Sequence, residues 1–239
     1  MPSKFLHKEF IVIIATLLLL NFASVYIEDL SLIRWSRLLT SVVGCGYLVS
    51  RYKIYLIPRF LLGTLLLVLT DVFYIYLNFT VTHLLYLVAS TAAFLLFVIS
   101  INQFIKWKSI SKTTVLLLIL TNAGLYYFLN YLLEIVVLDI EGWLLHLYNI
   151  YAITGMIYCS ITIISFLQVD DRTGNGNYLY ISFGFLLSNT FLLVAFYSDI
   201  IDFYYLTRIF YLLVWGSLVH LLGRRAVEHF SKLEVNKLN

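Results

Sequence analysis

The stretch FLLGTLLLVLTDVFYIY, from Phe60 to Tyr76, decides the class of this protein. It lies within 46 residues, between Arg59 and Lys106, whose one formal charge is Asp71. A run of about 20 apolar residues is long enough to cross the hydrocarbon core of a bilayer as a helix. A carboxylate in the middle of such a helix costs roughly 2.5–3.5 kcal/mol, so the sequence predicts that Asp71 has a polar partner or a function.

The rest of the chain is equally apolar. Its 239 residues are 62% hydrophobic and 12% charged, with a mean hydropathy of +0.92. Soluble domains are about 45–50% apolar and about 25% charged. The composition therefore predicts an all-α fold, a polytopic transmembrane helix bundle that forms one membrane domain over residues 1–239.

Apolar segments divide this domain into eight predicted helices. They lie at about 10–27, 37–51, 58–77, 81–105, 113–137, 143–168, 178–197 and 206–222. The second segment is the shortest, but Gly44 and Gly46 within it would let neighbouring helices pack closely. Cys45 and Cys159 fall inside apolar segments without the repeated spacing of a metal site, so we predict small core residues and neither a metal nor a cofactor.

The distribution of basic residues predicts the orientation, because cytoplasmic loops collect lysine and arginine. With the N-terminus inside, the inner segments hold all of the 16 lysines and arginines except Arg34, Arg37 and Arg208, which are assigned to outer loops. This favours an even number of helices with both termini in the cytoplasm. The basic residues form no stripe, so the bilayer is the expected partner and nucleic acid is not.

Polar side chains from five predicted helices fall in one depth zone of the bundle, from its midplane to its outer half. They include Asp71, His83, Glu134, Asn149 and Asn189, which would line one cavity if their helix faces point inward. Each has a structural alternative: Asp71 in a buried hydrogen bond, His83 and Glu134 at the membrane interface, and the asparagines between helices. The segment Leu69-Thr-Asp71-Val-Phe73 is also echoed by Leu187-Ser-Asn189-Thr-Phe191, which would fit a four-plus-four parallel repeat.

Four short motifs, in order along the chain, resemble the YhhN family of eight-helix membrane proteins, which includes animal lysoplasmalogenases. They are Thr70-Asp71-Val-Phe, Thr82-His83-Leu-Leu-Tyr86-Leu, Ser188-Asn189-Thr-Phe-Leu-Leu and Tyr211-Leu-Leu-Val. The resemblance implies cleavage of the vinyl ether bond of a lysoplasmalogen by a protein of the bacterial inner membrane. It also places Asn189 where the family has its second acidic residue.

Vinyl ether cleavage begins with protonation of carbon, which needs a neutral acid and a second group that activates water. The resemblance assigns Asp71 as the acid, with Asn189 holding a water and His83 as a further catalytic candidate. Tyr86, Ser188, Asn149 and Glu134 are the candidate substrate-binding residues. The alternative is a non-catalytic membrane protein that retains the scaffold and binds a single-chain lipid or similar amphiphile.

Overall fold

A computed structural model describes residues 8–54, 58–77, 79–102, 105–136, 142–168, 176–198 and 200–238. These residues form eight α-helices and a short 3-10 helix at Trp107–Ser109. The α-helices are α1 (Lys8–Tyr26), α2 (Leu30–Tyr52), α3 (Pro58–Ile75), α4 (Thr80–Asn102), α5 (Lys112–Val136), α6 (Gly142–Gln168), α7 (Gly176–Ser198) and α8 (Asp202–Leu238). All of them except α2 are long and apolar enough to cross a membrane. The predicted all-α bundle is confirmed, and the chain is an integral multi-pass membrane protein.

The predicted start of α2 is wrong, and so is the placement of three arginines in outer loops. The helix begins at Leu30 because the Asp29 carboxylate caps it, accepting hydrogen bonds from the backbone N–H of Ser31 at 2.7 Å and Leu32 at 3.3 Å. Arg34 and Arg37 therefore lie inside α2, and Arg208 lies inside α8; all three are buried. Hydropathy disfavours arginine within a membrane-spanning helix, but here other helices enclose the three arginine side chains.

The predicted bounds of α8 are also wrong, because it is longer at both ends. It begins at Asp202, whose carboxylate favours the first turn, and it continues past its apolar span, which ends at Arg224. The other six helices begin and end within three residues of the predicted bounds.

Six helices form a closed ring, in the order α2, α3, α4, α6, α7, α8 and back to α2. Helix α1 packs outside the ring on α2 and α8, and α5 packs outside it on α6 and α7. In the apolar 18-residue segment of α5, 0% of the residues are buried. In the corresponding segment of α8, 61% of the residues are buried. In the ring α3 lies opposite α7, so Asp71 and Asn189 can reach the interior from opposite sides.

Helices α2 and α8 approach closely at Gly44. A Cβ atom on this glycine would lie 2.3 Å from Cε3 of Trp215, a side chain that is 1% exposed. A Cβ on Gly46 would meet no atom within 4 Å. The close packing predicted for this pair therefore occurs at Gly44 alone.

We predict that Gly44→Ala destabilises the bundle by about 1–3 kcal/mol, because the buried indole has to move. The matched variant Gly46→Ala should leave stability unchanged or raise it by up to about 1 kcal/mol, since alanine is the better helix former. Unfolding of the detergent-solubilised protein measures both. Equal stability of the two variants would contradict the close contact.

Candidate functional site

The centre of the ring holds a buried ion pair between α2 and α3. Nε of Arg37 donates to Oδ1 of Asp71 at 2.7 Å, and the two side chains are 2% and 1% exposed. The Tyr211 hydroxyl of α8 donates to the other carboxylate oxygen, Oδ2. Asp71 therefore accepts a hydrogen bond at both oxygens, the arrangement that suits an ionised carboxylate.

Aromatic rings enclose the guanidinium of this pair. Cζ of Arg37 lies 4.2 Å from the ring centroid of Tyr211 and 5.1 Å from that of Tyr74. Such cation–π contacts stabilise a cation that water does not reach. The ion pair is thus enclosed by side chains of α2, α3 and α8.

Asn189 of α7 connects the pair to the opposite side of the ring. Its Oδ1 accepts from Nη2 of Arg37 at 3.4 Å and from the Tyr86 hydroxyl at 3.3 Å. Its Nδ2 donates to the Tyr151 hydroxyl at 2.6 Å. A carboxylate at this position could not donate that bond, so an amide fits a network that already contains one buried carboxylate.

An apolar cavity of about 90 Å³ lies beside this network; we call it the slot. Its walls come mainly from α4, α6 and α7, and Leu129 and Leu133 of α5 cover one side. Tyr86 and Asn189 line both the slot and a cavity of about 10 Å³ around the ion pair, which is the size of one water molecule. Asp71 and Arg37 line only the small one.

A chain of three polar side chains lines one end of the slot. Nε2 of His83 is hydrogen-bonded to the Tyr148 hydroxyl, which lies 3.3 Å from the hydroxyl of Tyr197. His83 is at the start of α4 and Tyr197 at the end of α7, so this is the end of the bundle that carries Glu28, Phe79 and Ile201. The charge asymmetry predicts that this end faces outward, and we call it the outer end.

The predicted site residues fall into three groups. Asp71 and Asn189 are joined through Arg37, whereas His83, Tyr86 and Asn189 line the slot. Ser188 donates to the backbone oxygen of Thr207 at 3.2 Å and is buried. Asn149 accepts from Tyr126 at 3.3 Å, Glu134 is exposed, and neither lines the slot.

Sequence reasoning assigned no role in the site to three members of the network, namely Arg37, Tyr151 and Tyr211, although Tyr211 begins the fourth motif. The sequence contains a signal that could have identified Arg37. Arg34 and Arg37 are three residues apart beside an apolar segment, and residues at this spacing share one face of a helix. In the described part of the chain no three His, Cys, Asp or Glu side chains are grouped as a metal site would need.

Comparison of the chain with protein-family models, with curated proteins and with solved structures finds no match. The resemblance to the YhhN family therefore stays a prediction that rests on the four motifs.

We predict that the Arg37–Asp71 pair contributes to stability as a unit. Arg37→Met and Asp71→Asn should each cost about 3–5 kcal/mol, because each leaves one buried polar partner uncompensated. The double variant should cost much less than the sum of the two. Unfolding in detergent measures all three.

Asp202→Asn provides the control for Asp71→Asn, because it makes the same change at an exposed helix start and should cost about 1 kcal/mol or less. If the double variant lost as much stability as Arg37→Met and Asp71→Asn lose together, this would contradict a coupled pair.

Proposed function

We propose that this membrane protein binds a single-chain lipid or similar amphiphile in the slot. The observation that carries the proposal is an elongated apolar cavity with a hydrogen-bonding end. Along α4 the lining runs from His83 to Phe94, a rise of about 17 Å. Ligand pockets are commonly apolar cavities of about 300–1,000 Å³ with a few convergent polar groups. The slot matches this description in the chemistry of its lining, whereas its volume of about 90 Å³ is smaller.

The packing of α5 supports entry from the bilayer. This helix covers the slot with Leu129 and Leu133, yet it lies outside the ring and its apolar window is exposed. A helix with few buried contacts separates from its neighbours at low cost. An alkyl chain could therefore reach the slot sideways, without crossing the ring.

The polar end of the slot suits the head of an amphiphile. His83, Tyr148 and Tyr197 offer both hydrogen-bond donors and acceptors, and they lie near the predicted outer membrane surface. The membrane we assign is the bacterial inner membrane, as the family resemblance implies. Asp71 in this proposal holds the ring together, because Arg37 and Tyr211 already occupy its oxygens.

We predict that Ala152→Phe, which places a ring in the slot, lowers the amount of co-purifying single-chain lipid at least about tenfold. Ala152 lines the slot, whereas Ala123 of α5 is exposed and provides the matched control Ala123→Phe. Mass spectrometry of lipids extracted from the two purified proteins makes the comparison. Equal lipid content in both would remove the slot as the binding site.

The second candidate is the lysoplasmalogenase-type reaction that the resemblance implies, with a different proton donor. His83 and Tyr148 lie in the slot, whereas Asp71 does not, so a proton could reach a bound vinyl ether from the histidine. The proton adds to the vinyl carbon remote from oxygen, and water adds to the oxocarbenium carbon and loses a proton. The resulting hemiacetal releases the aldehyde and the glycerophospho alcohol.

We predict that, if the purified protein releases aldehyde from lysoplasmalogen, His83→Gln lowers turnover at least about 100-fold, because general acid catalysis contributes about 10²–10⁴. His220→Gln on α8 is the control, since His220 does not line the slot. Aldehyde release that survives His83→Gln would exclude His83 as the acid. If the protein binds lipid but releases no aldehyde, this reaction is excluded and lipid binding is the function that is left.

A further inference from the structure

The described residues that line the slot carry no formal charge. No aspartate, glutamate, lysine or arginine is among them, and the polar ones are tyrosines, a histidine, an asparagine, a serine and a threonine. The ion pair of Arg37 and Asp71 lines the small cavity instead, and its two charges offset each other. A charged group that enters an apolar cavity loses its hydration, and these walls offer it no counter-charge. The slot therefore disfavours a charged head group.

Several polar groups along the slot already use their hydrogen atoms within the protein. The Ser182 and Thr190 hydroxyls donate to backbone oxygens of α7 itself, at 3.0 Å and 2.8 Å. The Tyr86 hydroxyl donates to Oδ1 of Asn189 at 3.3 Å. A hydroxyl has one hydrogen to donate, so these three groups have none left for a ligand.

Two hydrogen-bond donors remain unused where the side chains of Tyr151 and Asn189 meet. Nδ2 of Asn189 donates one of its two hydrogens to the Tyr151 hydroxyl at 2.6 Å. The second amide hydrogen and the hydrogen of the Tyr151 hydroxyl have no acceptor among the described residues. Both residues line the slot. Unused donors in an apolar cavity favour a ligand that accepts hydrogen bonds there.

These donors lie just inside the polar end of the slot. Tyr151 follows Tyr148 by about one turn of α6, a rise of about 4.5 Å away from the outer end. The chain from His83 through Tyr148 to Tyr197 can donate or accept at the outer end, because the direction of its hydrogen bonds can reverse. The fixed requirement on a ligand is therefore an acceptor at Tyr151.

We propose that the slot selects single-chain amphiphiles with an uncharged head, in which a carbonyl or ether oxygen accepts a hydrogen bond from Tyr151. This inference rests on the proposed binding function and names the class of its ligand. Long-chain ketones, aldehydes, esters and ethers belong to this class, whereas alkyl phosphates and alkyl ammonium ions do not. A phosphate group attached to such a ligand has to stay outside the slot, at the membrane surface.

The test is calorimetric titration of the purified protein in an uncharged, steroid-based detergent, which carries no alkyl chain. The probes share one chain and differ in the head: methyl dodecyl ketone, dodecyl phosphate and dodecyltrimethylammonium. Tetradecane, which has the carbon number of the ketone and no head, is the fourth. We expect the ketone to bind at least about tenfold tighter than either ion.

Tyr151→Phe tests the hydrogen-bond donor. It should lower the affinity for methyl dodecyl ketone about 3- to 10-fold, the usual loss for one neutral hydrogen bond, and leave the affinity for tetradecane unchanged. A general disturbance of the slot would weaken both ligands alike. Tyr127→Phe is the matched control, because Tyr127 of α5 is 75% exposed and does not line the slot. Unchanged binding of the ketone by Tyr151→Phe would overturn the role of Tyr151.

Tyr197→Lys tests the charge argument by a gain of binding. It adds a cation to the lining near the end of α7, where the side chain is half-buried, and should raise the affinity for dodecyl phosphate at least about tenfold. Ser198→Lys adds the same charge at the next residue, which is exposed and does not line the slot, and should have no such effect. Equal binding of dodecyl phosphate by the two variants would contradict the argument.

The variant Ala152→Phe separates failure of this inference from failure of the proposed function. If it weakens the binding of all heads and these bind equally well, the slot is a lipid site without the proposed selectivity. Tightest binding of dodecyltrimethylammonium, held by the tyrosine rings of the slot, would also overturn the selectivity and leave lipid binding intact. If no probe binds, or if Ala152→Phe changes the binding of none, both proposals fail.

Discussion

The interaction on which the rest of this structure depends is the ion pair between Arg37 and Asp71. A carboxylate placed alone in α3 would have to be removed from water without compensation, and so would a guanidinium in α2. Their pairing at 2.7 Å, completed by Tyr211 and Asn189, ties α2, α3, α7 and α8 together at one level. Replacing such a pair by apolar residues is often neutral in stability, so we regard its main effect as setting which helix faces meet.

That pair also shows where sequence reasoning succeeds and where it stops. Hydropathy and charge predicted the number and class of the helices, because each span is a property of contiguous residues. They failed at the start of α2, because Arg34, three residues before the predicted start, looks like a loop residue until the helices that enclose it are known. The sequence indicated that Asp71 needs a partner, but the partner is 34 residues away, on a helix whose start was misplaced.

The candidate site was likewise predicted in part from the sequence. The echo between Leu69–Phe73 and Leu187–Phe191 pointed to Asp71 and Asn189 as related positions, and the ring does place α3 opposite α7, with Arg37 bonded to both side chains. The chemistry differs from the pair of acids in the family that the sequence resembles, because Asn189 is an amide and one arginine lies between the two positions. Asn189 accepts from that arginine and donates to Tyr151, so it completes the network without adding a second charge.

Phe196 is the physical link between the two larger cavities of the outer end. Its ring lines both the slot and a cavity of about 610 Å³ between α2, α3, α7 and α8 at the outer end, and it lies 5.9 Å from Cζ of Arg34. Because protein interiors are close-packed, a shift of this ring changes the shape of both cavities at once. The ring interior is filled by Arg37, Asp71 and their partners, and the space left around them is about 10 Å³. The two larger cavities therefore lie around α7 and at the outer end.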